Sequence, residues 1–193
     1  MQTTLSIDSL FSVRGLSVLI TGAASGVGLG YARVMAANGA RVTLTDVDAA
    51  SLEAAVAERR AEGGEAWGVV ADVTDSASLN AAVQAVLARE GRLDVLFANA
   101  GISAGPGFLR GDGSRNPDGA LENLSIERFE QALQVNLVGA LRTLQAAVPA
   151  MKAQGGGRII ITSTVSTVKT ETLVSTLYVA AKDVKKMEPF IHY

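Results

Sequence analysis

Tyr178 and Lys182 stand four residues apart in Leu177-Tyr178-Val179-Ala180-Ala181-Lys182, a spacing that puts both side chains on one face of a helix. An ammonium beside a phenol favours the phenolate, so the pair is equipped to take up and return a proton. The same pair also decorates ordinary helix faces, and the feature that separates the two readings lies upstream. Thr21-Gly22-Ala23-Ala24-Ser25-Gly26-Val27-Gly28 is a glycine-rich turn between an apolar run and a helical pattern. Gly22 permits a tight turn, Gly26 lets the backbone approach a pyrophosphate, and Gly28 lets the helix pack on the strand. The helix start supplies free N–H groups, and Ser25 and Val27 fall within the turn as further cofactor contacts. Asp46 stands at the end of the next apolar run. A carboxylate there can accept hydrogen bonds from the diol of an adenosine ribose and repels a 2′-phosphate. Arg41 sits at the far end of that run and Ala23 comes directly after the first glycine, so no basic group is placed for NADP and the expected cofactor is NAD.

Chemistry of this kind needs a frame that brings distant residues to one edge. Apolar, β-branched runs at residues 16–21, 41–46, 66–71, 93–98 and 158–164 predict buried strands. Helical patterns at 26–38, 49–61 and 76–89 alternate with them, the second behind Asp48 as N-cap and the third carrying Leu79, Val83, Val86 and Leu87. Strands joined by single helices pair in parallel with right-handed crossovers, which predicts a doubly wound, Rossmann-like α/β fold of three layers. A longer helix is predicted after Ser125, with an apolar stripe of Phe129, Leu133, Leu137, Leu141 and Leu144 and with Pro149 kinking or stopping it. Residues 102–124 are irregular and rich in glycine and proline; lying past the carboxyl end of a strand, they are expected to shape the entrance to a substrate site.

Composition bounds the rest. The chain has 193 residues, 48% of them hydrophobic and 19% charged, which suits one domain over residues 1–193. A net charge of −2 without a basic patch argues against nucleic acid. Cysteine is absent and the one histidine, His192, lies at the C-terminus, so no metal site is expected. The stretch from Met1 to Arg14 does not read as a signal peptide and no apolar run is long enough to span a membrane, so a soluble cytoplasmic protein without membrane contact is expected.

Five motifs in order resemble the short-chain dehydrogenase/reductase family: the turn at residues 21–28, Asp72-Val73, Asn99-Ala100-Gly101, Asn136, and Tyr178 with Lys182. The resemblance spans about residues 10–182 and implies roles for each. Asp72 and Val73 would bracket the adenine, and Asn99, Ala100 and Gly101 would form a backbone shelf beside the cofactor. Tyr178 would be the general acid/base, while Lys182 would hold the nicotinamide ribose and depress the Tyr178 pKa. Asn136 would hold a water linking Lys182 to solvent. The family's substrate-binding serine falls on Thr164 by ungapped register, with Ser163 as its rival; neighbouring strand residues face opposite ways, so one of the two faces the site. The implied activity is NAD-dependent hydride transfer with a small-molecule alcohol or ketone, in a homo-oligomer (dimer or tetramer). The family continues beyond the lysine with a helix and two more strands, whereas Lys182 is succeeded here by the short stretch from Asp183 to Tyr193, so a sheet lacking its C-terminal strands is expected. The alternative is a catalytically inactive dinucleotide-binding remnant.

Overall fold

The computed structural model of the protein describes residues 11–103, 105–164 and 181–182. Five strands, β1 (Ser17–Thr21), β2 (Arg41–Asp46), β3 (Glu65–Val70), β4 (Val95–Ala98) and β5 (Arg158–Ile161), form one sheet in the order β3-β2-β1-β4-β5. Every adjacent pair is parallel. The helices between them are α1 (Gly26–Ala37), α2 (Ala49–Ala61), α3 (Ser76–Glu90), α4 (Ile126–Leu133) and α5 (Gly139–Ala153).

Alternation along β1 explains the three layers. Val18 and Ile20 point to one face, where they join Val42, Leu44 and Phe97 against Ala32 and Ala36 of α1 and Leu52 and Val56 of α2. Leu19 points the other way and joins Leu96, Val83 and Val86 of α3, and Ala147 and Met151 of α5. Burial of both faces accounts for the near-continuous apolar reading of the central strands. After β3 the chain returns to the other side of β1 to make β4, so the winding reverses between β1 and β4. Crevices for ligands open at the carboxyl ends of strands at such a switch point.

Boundaries differ from the sequence reading at four strands: β1 starts one residue later, β3 is shifted one residue earlier at both ends, β4 starts at Val95 rather than 93, and β5 ends at Ile161 rather than 164. The long helix departs more. Pro149 lies inside α5 and does not stop it, because Pro149 and Gln145 are on the exposed side, where water can take the carbonyl left without a donor. The break comes earlier, at a π-helical turn, Gln134–Val138, between α4 and α5. A π-turn inserts a residue and so rotates the helix beyond it by about 100°. The predicted stripe is split accordingly: Leu144 is buried, Phe129, Leu133 and Leu137 are half-buried, and Leu141 is 42% exposed. Ala132, Asn136, Gly139, Ala140, Thr143, Ala147 and Met151 make the buried face with Leu144. Among the described residues no helix is long and apolar enough to cross a membrane.

Candidate functional site

A cleft of about 700 Å³ runs along the carboxyl ends of the strands. One side is the glycine turn. Gly22 has φ +63°, and a Cβ there would sit 2.7 Å from the Cα of Ala100, so both conformation and space require glycine. Gly28 has ordinary backbone angles but no room: a Cβ would run into the carbonyl oxygen of Gly22 and come within 2.5 Å of Asn99 Nδ2. The turn is thereby folded onto the end of β4. Gly26 has φ +54° and open space around it. The N-cap of α1 is Ser25, whose side chain makes no capping hydrogen bond. The first N–H groups of α1 therefore stay available at the cleft, beside Ser25, Gly26 and Val27, which line it.

Asp46, the last residue of β2, lines the same cleft with an oriented carboxylate. Its Oδ2 accepts from the Ala24 N–H at 3.1 Å and its Oδ1 from the Asp48 N–H at 3.2 Å. Each oxygen can accept a second hydrogen bond. Asp72 and Val73 come after β3 and lie along the next stretch of the wall; Asp72 Oδ1 accepts from the Thr74 N–H and hydroxyl, both at 2.8 Å. Arg41 is turned away at the opposite end of β2, paired with Glu90 at 2.9 Å.

Asn99, Ala100 and Gly101 leave the end of β4 and form the floor. Lys182 lies over Gly101: a Cβ on Gly101 would be 2.7 Å from Lys182 Nζ and 3.0 Å from Asn136 Oδ1. The lysine is only 3% exposed, and its Nζ donates to the carbonyl oxygens of Ala100 and Thr162, both at 3.3 Å. Burial pushes its pKa down from 10.5 to about 8. Ala181 anchors this segment by packing against Ala132 of α4. Asn136, in the π-turn, spends its side chain on Ile102, accepting from its N–H at 2.7 Å and donating to its carbonyl at 3.0 Å. It therefore pins the backbone beside Lys182 through direct bonds.

The strand-end hydroxyls separate by partner. Ser163 Oγ donates to the carbonyl of Lys182 at 2.9 Å. Thr164 is half-buried and lies further from the end of β5 than Thr162, and of the three only Thr162 lines the cleft. Strand alternation does not apply to Ser163 and Thr164, because β5 has already ended at Ile161. Tyr178 and His192 lie outside the described residues.

A family profile described as short chain dehydrogenase matches residues 17–187. The chain belongs to the short-chain dehydrogenase family. Its relatives in that family include a D-threitol dehydrogenase of Mycolicibacterium smegmatis, 35% identical over 156 residues, covering 81% of this chain and 55% of the relative. A levodione reductase of Leifsonia aquatica is 36% identical over 154 residues, covering 79% and 53%. Among solved structures, a short-chain dehydrogenase/reductase of Burkholderia phymatum in complex with NAD has a TM-score of 0.76 at 29% identity, covering 89% of this chain and 57% of that one. An NAD+-bound xylitol dehydrogenase has a TM-score of 0.76 at 30% identity, covering 88% and 60%. The chain spans about half the length of the curated relatives it matches.

Several residues that line the cleft of this short-chain dehydrogenase chain escaped the sequence reading: Val47, Ala71, Thr74, Gln131, Gln134, Val135 and Thr162. Gln131, Gln134 and Val135 sit at i, i+3 and i+4, a spacing that marks one helix face but not which face meets a cleft. Among the described residues of 102–124, expected to shape the entrance to a substrate site, Ile102 alone lines this cleft. Residues 108–116 build a short hairpin of their own, with a bridge between Leu109 and Arg115 and a hydrogen bond from Asn116 N to Phe108 O at 2.8 Å, before two short 3-10 turns at Pro117–Gly119 and Leu121–Asn123. Open helix N–H donors at one point of the cleft, an accepting carboxylate at the end of the neighbouring strand and a donating buried ammonium at the other end form a set of polar groups suited to a dinucleotide's pyrophosphate, ribose diol and second ribose.

Proposed function

We propose that this chain is the cofactor-binding and catalytic part of an NAD(H)-dependent oxidoreductase acting on an alcohol or ketone. The observation that carries this reading is Asp46: it ends β2, lines the cleft, and has its carboxylate oriented by the N–H of Ala24 inside the glycine turn. An anion there suits a free ribose diol and opposes a 2′-phosphate. Gly22, Ser25, Gly26, Val27 and Gly28 would hold the pyrophosphate, Asp72 and Val73 the adenine, and Asn99, Ala100 and Gly101 the floor under the nicotinamide half. When bound, NAD(H) supplies or accepts the hydride.

The chain's own task is then the proton. Tyr178 exchanges it with the substrate oxygen, and Lys182, four residues on, favours the phenolate by its charge while donating to the nicotinamide ribose. Thr164 takes the position that holds the substrate oxygen, as the family's ungapped register implies, with Ser163, whose hydroxyl donates to the Lys182 carbonyl at 2.9 Å, as its rival. Asn136 serves by holding the backbone of Ile102 under this assembly. A levodione reductase and a D-threitol dehydrogenase among the relatives support a carbonyl or carbinol as the reacting group. Self-association belongs to the same reading, supported by the apolar Ile126 and Leu141 that α4 and α5 leave exposed.

Fluorescence titration with NADH and NADPH, combined with turnover on a panel of alcohols and ketones, tests the proposal. NADH should bind the more tightly, and Tyr178→Phe should lower turnover by about 10²-fold or more while NADH affinity stays nearly intact. Binding without turnover by the unaltered chain would leave the non-catalytic dinucleotide-binding reading. Absence of NADH binding would overturn both.

A further inference from the structure

Beyond the end of β5, Thr162 makes three contacts that no reading of motifs assigns. Its N–H donates to Ala98 O at 3.1 Å, continuing the ladder to β4. Its hydroxyl donates to Asn99 Oδ1 at 2.9 Å. Its carbonyl accepts from Lys182 Nζ at 3.3 Å. Asn99, largely buried, in turn donates from Nδ2 to the carbonyls of Thr21 at 3.1 Å and Gly22 at 3.2 Å. The amide can sit only one way round: carbonyl oxygens accept and do not donate, so the nitrogen faces Thr21 and Gly22 and the oxygen faces the Thr162 hydroxyl on the other side. A continuous chain of hydrogen bonds thus runs from the ammonium of Lys182 through Thr162 and Asn99 to the first glycine of the turn.

We propose that Thr162 is a positioning residue that sets the place of Lys182 relative to the glycine turn, by donating its hydroxyl to Asn99 Oδ1. The proposal rests on the dinucleotide-binding reading above and adds a residue to it. Loss of the hydroxyl leaves a buried amide oxygen without that donor; the amide then turns or draws in water. Either response moves the Gly22 carbonyl at one end and the Thr162 carbonyl under Lys182 at the other. The two ends of the cleft lose their fixed separation, and a dinucleotide that must meet both binds more weakly.

The experiment compares Thr162→Ala, Thr162→Ser, Lys182→Met and the double variant Thr162→Ala/Lys182→Met, with NADH affinity as the readout and thermal melting alongside. Thr162→Ala should weaken NADH by about fivefold, in line with one hydrogen bond, and Thr162→Ser should stay within about twofold of the parent. Because Thr162 acts through Lys182, the double variant should bind no more weakly than Lys182→Met alone. Additive losses, or a Thr162→Ala protein with lowered Tm but parental NADH affinity, would overturn the proposal. If the parent chain itself fails to bind NADH, the functional reading falls instead, and the link is judged in the free protein by solvent exchange of the Asn99 side-chain amide. Faster exchange in Thr162→Ala than in Thr162→Ser supports the link, and equal exchange overturns it.

Discussion

Helices α1, α2 and α3 all start at the same rim of the sheet, each directly after one of the first three strands, yet they start in different ways. Asp48 caps α2, accepting from the N–H groups of Ala50 and Ser51 at 3.1 and 3.2 Å. Asp75 caps α3, accepting from Ala77 and Ser78 at 2.9 and 3.3 Å. Ser25 heads α1 with the extended backbone of an N-cap, φ −151° and ψ 174°, and yet makes no side-chain cap. A missing cap ordinarily forgoes about 1 kcal/mol. The two capped helices direct their N-terminal polarity into the protein's own carboxylates, whereas α1 presents it to the cleft. Lys182 repeats the pattern at the cleft's other end, an ammonium buried among neutral carbonyls with its pKa lowered to about 8. Stability is taken where the rim is structural and left untaken where a ligand can complete it.

The strongest way to break this contrast is Gly28→Val. The side chain would have to displace the Gly22 carbonyl and the Asn99 amide, contacts already closer than a Cβ allows. A destabilisation of about 3 kcal/mol or more is expected, with NADH binding lost, read by thermal melting and fluorescence titration. Lys182→Met examines the other end. In the folded chain Lys182 titrates near 8, below its ordinary 10.5, so between those values the unfolded chain holds more protons and folding stability climbs with pH. The penalty for burying the ammonium is fully present below about pH 8. Lys182→Met should therefore be more stable than the parent at pH 7, by about 1–3 kcal/mol, and its advantage should shrink as pH rises toward 10.5. An advantage independent of pH across that window would remove the buried charge as its cause.

Asp46→Ala acts beside the open helix start. It removes a charge-assisted acceptor for the ribose diol and the repulsion of a 2′-phosphate, so the preference for NADH over NADPH should narrow by about tenfold. An unchanged preference would disconnect Asp46 from the cofactor. The sharpest use of the comparison is also the smallest in energy. Ser25→Asp supplies α1 with the cap that α2 and α3 already have, and should raise stability by about 1 kcal/mol while weakening NADH, because the new carboxylate occupies the donors and repels a pyrophosphate. Asp75→Ala is the converse: about 1 kcal/mol of stability lost, with NADH affinity kept. Should Ser25→Asp lower stability, or bind NADH as the parent does, the open start of α1 has no link to ligand binding.

Much of this frame was legible from local pattern alone. β2 and α2 begin and end where periodicity and the Asp48 cap place them, and β1, α1 and α3 lie within about a residue of their expected bounds. Such elements are decided by neighbours in the chain: apolar spacing, a capping carboxylate, a glycine with positive φ. The glycine turn, Asp46, Asp72 and the Asn99-Ala100-Gly101 stretch could likewise be placed at the cleft, since each comes at or just past the end of a strand and the carboxyl ends of parallel strands share one rim.

Where local sequence carries no imprint of the partner, only the tertiary structure decided. The π-turn at Gln134–Val138 is a change of hydrogen-bond register, and no residue type announces it; the burial of Asn136 and its bonds to Ile102 hold that region against the floor. The role of Thr162 depends on β5 stopping at Ile161 and on an amide 63 residues away in the chain. Composition and spacing settle the order of strands and helices in this chain because those are summed over many residues. Which hydroxyl meets Asn99, which carbonyl meets Lys182, and how much of the lysine's charge is desolvated are settled by single contacts across the sheet, and a single contact exists only once both partners have been folded into place.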